Sequence, residues 1–281
     1  MAKKSANSSS SAKTTTTTKG KAGGEGGGEA GLPEGVRIRR YEEADWDEVC
    51  KLVWKGACVG NDSEMAIGLR NLHLQPLSVA AYYLFATGVA AMYFKPTWVP
   101  LPEGFNHTFL GAVICFGAAA WAIYWRWEYR KAVWDGCRRA WREDMSLKEL
   151  GKTYGFEGEG VGGFWVAEGE VDGKKAVVGC VGLDPLSQRD KATVELRRLA
   201  VSPVEKYRHK GVGKALLAQA VAHAREQRKR KRPVRKLVAR TTTYQPAAWE
   251  LLQKEGWKVT GKKSVSLLKS QIYEYTMELE L

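Results

Sequence analysis

The sequence predicts one α/β domain, a mixed sheet flanked by helices, with an apolar two-helix hairpin inserted near its start. Segments with alternating apolar residues, typical of strands, are interspersed with amphipathic segments of helical period. Two stretches without any charged residue lie at 71–94 and 106–125. The chain has 281 residues, 44% of them hydrophobic, which is enough to bury the core of such a domain.

The first 35 residues are predicted to be a disordered low-complexity tail. Residues 1–31 are rich in Lys, Ser, Thr and Gly and contain almost no apolar side chains. Such a segment cannot bury enough apolar surface to offset the entropy of ordering it. It also lacks the apolar h-region of a secretory signal peptide and the Arg-bearing apolar face of a mitochondrial presequence.

Residues 36–70 are predicted to form the first strand and helix of the domain. Val36 and Ile38 alternate as in a strand, and apolar residues then recur at helical spacing. The apolar face of this helix carries Trp46, Val49, Val53 and Trp54.

Residues 71–127 are predicted to form a transmembrane helical hairpin. Each charge-free stretch can cross about 30 Å of hydrocarbon as a helix of roughly 20 residues. The connection KPTWVPLPEGF is short and Pro-rich, so the helices must be antiparallel. A hairpin of buried core helices, or one that enters a single leaflet, remains an alternative. Basic residues flank the hairpin and nearly avoid the connection, which favours cytosolic flanks. These residues are Arg70, Arg126, Arg130, Lys131, Arg138 and Arg139.

Residues 128–281 are predicted to complete the domain. A helical segment comes first, and a β-hairpin follows because Asp172-Gly173 separates two apolar runs. Next come a strand, a basic turn and a helix, and then a strand starting near Arg235. A helix closed by Gly256 and two final strands end the chain.

The basic turn between strand and helix has the chemistry of a pyrophosphate site. It lies within VELRRLAVSPVEKYRHKGVGKALLAQAV, residues 194–221. A tight turn that leads into a helix N-terminus directs several unpaired N–H groups at one point. Gly211 and Gly213 permit close backbone approach. Positive charge around the turn comes from Arg208, His209, Lys210 and Lys214.

Charge and cysteine content restrict the function classes. A net charge of +13 favours anionic partners, namely phosphate ligands, acidic lipid or nucleic acid. The five cysteines lack CxxC spacing, so neither structural zinc nor a disulfide framework is predicted, and we expect no metal cofactor. The basic run at 225–236 is typical of a solvated helix end, with contact to anionic headgroups as an alternative.

The turn and its surroundings resemble the GNAT acetyltransferase superfamily. Its Arg/Gln-x-x-Gly-x-Gly/Ala signature matches Arg208-His209-Lys210-Gly211-Val212-Gly213. The segments FWVAE and LRRLAVS and the inserted hairpin are similar to those of the camello-like membrane N-acetyltransferases. The resemblance covers residues 36–281 and implies a GNAT-type sheet that binds acetyl-CoA.

The resemblance also implies roles for individual residues. Val201 and Ser202 would pair with the pantetheine arm in a gap between the fourth and fifth strands, and an N–H near Val201 would polarise the thioester carbonyl. Glu195 lies where some GNAT enzymes keep a general base. Strand period would place Glu195, Arg197, Leu199 and Val201 on one face. Arg197 could also hold Glu195 in a structural ion pair.

The tyrosine that the family often uses as general acid is missing, because Leu252 occupies the position four residues before Gly256. Tyr244 is the preferred substitute as the acid, with Tyr207 or solvent as alternatives.

These features predict a membrane-anchored N-acetyltransferase that uses acetyl-CoA. We expect an integral protein of the endoplasmic reticulum whose catalytic domain faces the cytosol and contacts the lipid bilayer. The acceptor would be an amine, either an amphiphilic one such as a cysteine S-conjugate, or a protein lysine or N-terminal amine. One rival reading is a catalytically weak or inactive acyl-CoA-binding scaffold; another is a nuclear acetyltransferase, although binding of nucleic acid is not favoured.

Overall fold

The computed structural model describes residues 32–61, 63–94, 102, 106–155, 161–185, 192–229, 234–264 and 273–281. Most of the predicted tail at 1–35 lies outside the described residues, as does the connection between the apolar helices except for Pro102.

The described residues form seven strands and seven α-helices. The strands are β1 (Arg37–Arg40), β2 (Gly163–Val171), β3 (Lys174–Asp184), β4 (Thr193–Val201), β5 (Lys236–Thr242), β6 (Lys258–Ser264) and β7 (Tyr273–Glu280). The helices are α1 (Trp46–Cys58), α2 (Glu64–Asn71), α3 (Pro76–Phe94), α4 (His107–Asp144), α5 (Leu147–Tyr154), α6 (Val212–Lys229) and α7 (Pro246–Lys254).

A single mixed sheet organises the domain, as the sequence predicts. Its strand order is β1-β2-β3-β4-β5-β7-β6, and every neighbouring pair is antiparallel except β4 and β5, which are parallel. Core side chains under α6 cover one face, including Leu216 and Leu217. Side chains of α1 and α5 cover the other, including Val49 and Leu150. The sheet is therefore buried between two helical layers.

The predicted β2–β3 hairpin is confirmed. Asp172 and Gly173 connect the strands with φ values of 53° and 74°. Two consecutive positive φ values are those of a type I′ turn, which Asp-Gly favours.

β4 contains a bulge that the alternation of its sequence does not reveal. Its register with β3 shifts between Cys180 and Gly182, and Arg198 has a φ of 56°. After this extra residue, each side chain of β4 points to the face of the sheet opposite to the one that simple alternation predicts. Val201 consequently packs towards the α6 core, as do Val194 and Leu196. Glu195 lies between these two residues and therefore on the opposite face of the strand. The expectation that Glu195 and Val201 share a face is wrong.

β4 and β5 separate after a short paired stretch. Their register runs only from Thr193–Lys236 to Leu196–Ala239. β5 continues to Thr242 with β7 as its partner, and β4 continues to Val201 with β3. The facing edges of the two strands are thus open towards their C-terminal ends, which produces the gap that the family resemblance implies.

The apolar hairpin consists of α3 and α4 in close contact. A Cβ atom on Gly88 would lie 2.8 Å from the Gly111 carbonyl oxygen, so the glycines permit a close helix crossing. By length and composition, Pro76–Phe94 and His107–Asp135 could each span a membrane. α4 continues to Asp144 without a break, whereas the sequence suggests two separate helices there.

Candidate active site

The basic turn forms a cradle of backbone N–H groups at the start of α6. His209 and Gly211 have φ values of 57° and 87°. The first helical bond runs from the Ala215 N–H to the Gly211 carbonyl, at 2.9 Å. The N–H groups of residues 212–214 precede this bond and, as at the start of any α-helix, have no intrahelical partner. Such donors at a helix N-terminus can bind a pyrophosphate.

Cationic side chains surround this cradle unequally. His209 and Lys210 are exposed, and Arg208 is half-buried. Lys214 places its Nζ 3.0 Å from Glu255 Oε1 at the end of α7. The cradle therefore combines a fixed set of backbone dipoles with exposed positive charge.

The end of β4 presents backbone groups to the gap. The N–H of Ser202 donates to the Val178 carbonyl of β3 at 2.8 Å, so this N–H is used within the sheet. Val201 lies opposite Gly179, and antiparallel alternation turns its N–H and C=O to the other edge of the strand. That edge faces the opening between β4 and β5.

Glu195 lies in the paired, closed part of the strands, opposite Val238. Its carboxylate is 3.5 Å from Arg197 Nε and 3.7 Å from Arg240 Nε, and its side chain is 3% exposed. Arg197 also reaches Asp184, with 3.2 Å between Nη1 and Oδ2. Glu195 thus belongs to a network in which two buried carboxylates meet a half-buried and an exposed guanidinium group.

Tyr244 lies beyond the end of β5, at the junction with the hairpin. It is 7% exposed and packs with Leu72, Trp125 and Tyr129. Its ring meets that of Tyr129 edge-on, and the Gln75 and Tyr129 side chains hydrogen-bond to its hydroxyl. Burial raises the pKa of Tyr244 although these hydrogen bonds oppose the rise. The hydroxyl therefore stays protonated at neutral pH.

Tyr207 and Leu252 have structural environments. The Tyr207 hydroxyl donates to the Glu170 carbonyl and accepts from the Glu170 N–H, so it anchors the turn to β2. Leu252 is 2% exposed and contributes to the core under α6.

The structure adds a group that sequence reasoning missed. Glu64, in the first turn of α2, accepts a hydrogen bond from Gln245 Nε2. Gln245 in turn accepts from Thr241 Oγ1 at 3.1 Å and from the Thr242 N–H at 3.3 Å. Burial raises the pKa of Glu64, although Gln245 and the charge of Arg198 oppose the rise. The only sequence signal was a helix start, since Ser63 caps α2 by accepting from the Ala66 N–H at 3.2 Å.

Comparison with known proteins agrees with this geometry. Residues 122–257 match the model of the acetyltransferase (GNAT) family. The chain is 36% identical over 113 residues to probable N-acetyltransferase 14 of Xenopus tropicalis, covering 40% of this chain and 49% of that protein. It is 31% identical over 140 residues to N-acetyltransferase 8 of Homo sapiens, covering 47% of this chain and 56% of that protein.

The chain thus spans about half the length of these two relatives. Among solved structures, an acetyltransferase of the GNAT family from Streptococcus pneumoniae is 13% identical, with a TM-score of 0.44 over 88% of this chain and 99% of that chain.

The matched region contains the splayed strands and the N–H cradle that the sequence predicted, and both relatives agree with the expected closeness to camello-like proteins. The chain therefore carries an acetyltransferase domain of the GNAT family.

Proposed function

We propose that this protein is a membrane-anchored N-acetyltransferase that transfers the acetyl group of acetyl-CoA to an amine. The observation that carries the proposal is the N-terminus of α6, with the N–H groups of residues 212–214 behind a basic turn, placed just beyond the open end of β4. The pyrophosphate of coenzyme A fits the charge and geometry of this cradle.

The acetyl-CoA site follows from the cradle. The residues that would contact the coenzyme are Val201, Ser202, Arg208, His209, Lys210, Gly211, Val212, Gly213 and Lys214. The pantetheine arm would lie along β4 in the gap, where the Val201 N–H would polarise the thioester carbonyl. Because carbonyl charge develops only as the amine attacks, a fixed donor there stabilises the transition state.

The chemistry also needs a base for the amine and an acid for the leaving thiolate. We assign the base to Glu195, acting through water, and the acid to Tyr244. The acid role requires a protonated hydroxyl, which Tyr244 has at neutral pH, and the position of Tyr244 just beyond the end of β5 supports the assignment.

The hairpin supports the membrane anchor. Large apolar side chains point outward from α3 and α4, among them Tyr83, Phe116 and Ile123, each more than 70% exposed. A soluble core helix would bury such residues, whereas lipid would cover them. The basic flanks, including Arg70 and Arg126, favour the cytosolic side. The membrane that we propose is that of the endoplasmic reticulum.

The first experiment measures release of CoA thiol from acetyl-CoA by the full-length protein in detergent. S-benzylcysteine, a lysine peptide and a peptide with a free N-terminal amine are offered separately. Release with one of them identifies the acceptor class. If none gives release while acetyl-CoA still binds, the scaffold reading replaces the enzyme, and the buried Leu252 in place of a tyrosine explains why.

A matched pair of variants tests the cradle. A Cβ atom on Gly213 meets only Leu251 and Val201 side chains, at 3.4 Å, so Gly213→Ala fits. Gly213→Glu adds a negative charge where we place the pyrophosphate. We expect the KM for acetyl-CoA to stay within about twofold in Gly213→Ala and to rise at least about tenfold in Gly213→Glu. Equal KM values in the two variants would place the coenzyme elsewhere.

The base assignment is tested with Glu195→Gln. We expect lower turnover with unchanged binding of acetyl-CoA, and turnover equal to wild type at every pH would refute the assignment.

Membrane anchoring is tested on the protein in microsomes. The anchor predicts that the protein stays in the pellet after carbonate extraction and that protease added outside digests the catalytic domain. Release by carbonate contradicts the anchor.

A further inference from the structure

The open end of the β4–β5 gap contains a carboxylate that the proposed chemistry does not yet use. Glu64 enters this region from α2, outside the strands that form the gap. Its partner Gln245 is fixed to the end of β5 through Thr241 and Thr242. On the other side, Arg198 belongs to the bulge of β4 and its charge acts on Glu64. Glu64 therefore lies between the separated ends of the two strands.

The surroundings of this carboxylate are mostly apolar and aromatic. The hydroxyl of Tyr129 lies against α2 at Gly68, one helical turn after Glu64, because a Cβ atom on Gly68 would overlap it. Tyr129 joins Tyr244, Leu72 and Trp125 in one buried cluster. This cluster connects α2, the hairpin and the loop after β5.

A half-buried carboxylate in such surroundings lacks full compensation for its lost hydration. The amide of Gln245 and the charge of Arg198 lower the pKa of Glu64, yet burial outweighs them and the pKa stays raised. A ligand cation at hydrogen-bonding distance would stabilise the ionised form. An amine acceptor arrives largely as an ammonium ion, which is such a cation.

We propose that Glu64 binds the amino group of the acceptor. This inference rests on the proposed acetyl transfer and adds the side of the gap from which the acceptor enters. Glu64 positions the amine, and proton removal stays with the base assigned above.

The test uses Glu64→Gln in the full-length protein, with S-benzylcysteine as the amine. Gln keeps the size of the side chain and can still accept from Gln245. We expect the KM for the amine to rise about tenfold or more, the usual size of a lost charge-assisted hydrogen bond, while the KM for acetyl-CoA changes less than about twofold. Glu250→Gln, an exposed carboxylate on α7, is the matched control and should change neither constant.

A second measurement does not depend on turnover or on the variant. Binding of S-benzylcysteine to the wild type with CoA present is followed by calorimetry as pH falls. Among the described residues, the charged and titratable side chains that act on Glu64 are Arg198 and Tyr129, which keep their protonation states below pH 7. Affinity should therefore fall as Glu64 becomes protonated, and Glu64→Gln should remove this dependence.

The outcomes separate the two proposals. An unchanged amine KM and an amine affinity that is independent of Glu64 overturn the assignment of Glu64 while leaving acetyl transfer intact. Amine binding that depends on Glu64, without CoA release from acetyl-CoA, supports the site and overturns the enzyme.

Discussion

The closed and open ends of the β4–β5 pair each hold one glutamate, and the two differ sharply. Glu195, where the strands are paired, lies between the guanidinium groups of Arg197 and Arg240 and is almost fully buried. Glu64, where the strands have separated, is half-buried, with the Gln245 amide as its hydrogen-bond donor and a raised pKa. Neighbouring groups, more than residue type, thus decide what a carboxylate can do.

The difference has a physical consequence for each site. The guanidinium groups of Arg197 and Arg240 already neutralise the Glu195 carboxylate. Its charge therefore stabilises the sheet in addition to any part it has in the chemistry. Glu64 has its charge only partly neutralised, and a cationic ligand can complete that neutralisation.

The largest effect is expected for Glu195→Ala. Removing this buried side chain costs about 3 kcal/mol because it leaves a cavity beside the sheet and deletes the ion pairs with Arg197 and Arg240. For a chain of this size that cost lowers the thermal unfolding midpoint by about 8 °C. Circular dichroism during heating measures it, with Glu250→Ala as the exposed control. A shift below about 2 °C would show that the network is held by groups other than Glu195.

A smaller loss of stability is expected when Tyr207, which is bonded to the backbone, is compared with Tyr244, the assigned acid. Tyr207→Phe removes both hydrogen bonds to the Glu170 backbone and should destabilise the fold by about 1–2 kcal/mol, or about 4 °C. Tyr244→Phe should instead lower kcat for CoA release, because it removes the assigned acid. If Tyr207→Phe had the larger effect on kcat and Tyr244→Phe had none, the general acid would be reassigned to Tyr207.

The smallest effect is expected for Glu64→Gln, which should change how the stability of the protein depends on pH. Folding raises the pKa of Glu64 above its unfolded value, so the stability this group contributes is complete below the unfolded pKa and is lost as pH rises through the folded one. Glu64→Gln should therefore gain stability relative to wild type between pH 4 and pH 8. Paired melting curves at several pH values measure the difference. A relative loss that grows as pH rises would contradict the assigned direction.

The sequence predicted the features that depend on local patterns. Asp172-Gly173 fixes its hairpin turn through residue types that tolerate positive φ. The spacing of Gly211 and Gly213 within a basic turn was enough to locate the N–H cradle, and the charge-free stretches located the apolar helices.

The features that depend on tertiary contacts were not predictable. Arg198 is a non-glycine residue at positive φ, and its bulge is set by pairing with β3. The approach of Glu64 to Gln245 joins residues 181 positions apart, for which a local pattern carries no signal. The unbroken α4 was also missed, because charged residues begin midway along a helix that continues through them.

The continuity of α4 joins the apolar hairpin rigidly to the rest of the domain. Its 38 residues, at 1.5 Å each, make a rod about 57 Å long, nearly twice the roughly 30 Å of bilayer hydrocarbon. The second half of this rod is not a free stalk, because Tyr129 packs against Tyr244 and Trp134 packs against Trp54. In the proposed membrane protein, the domain would therefore move with the hairpin as one body, without a hinge between them.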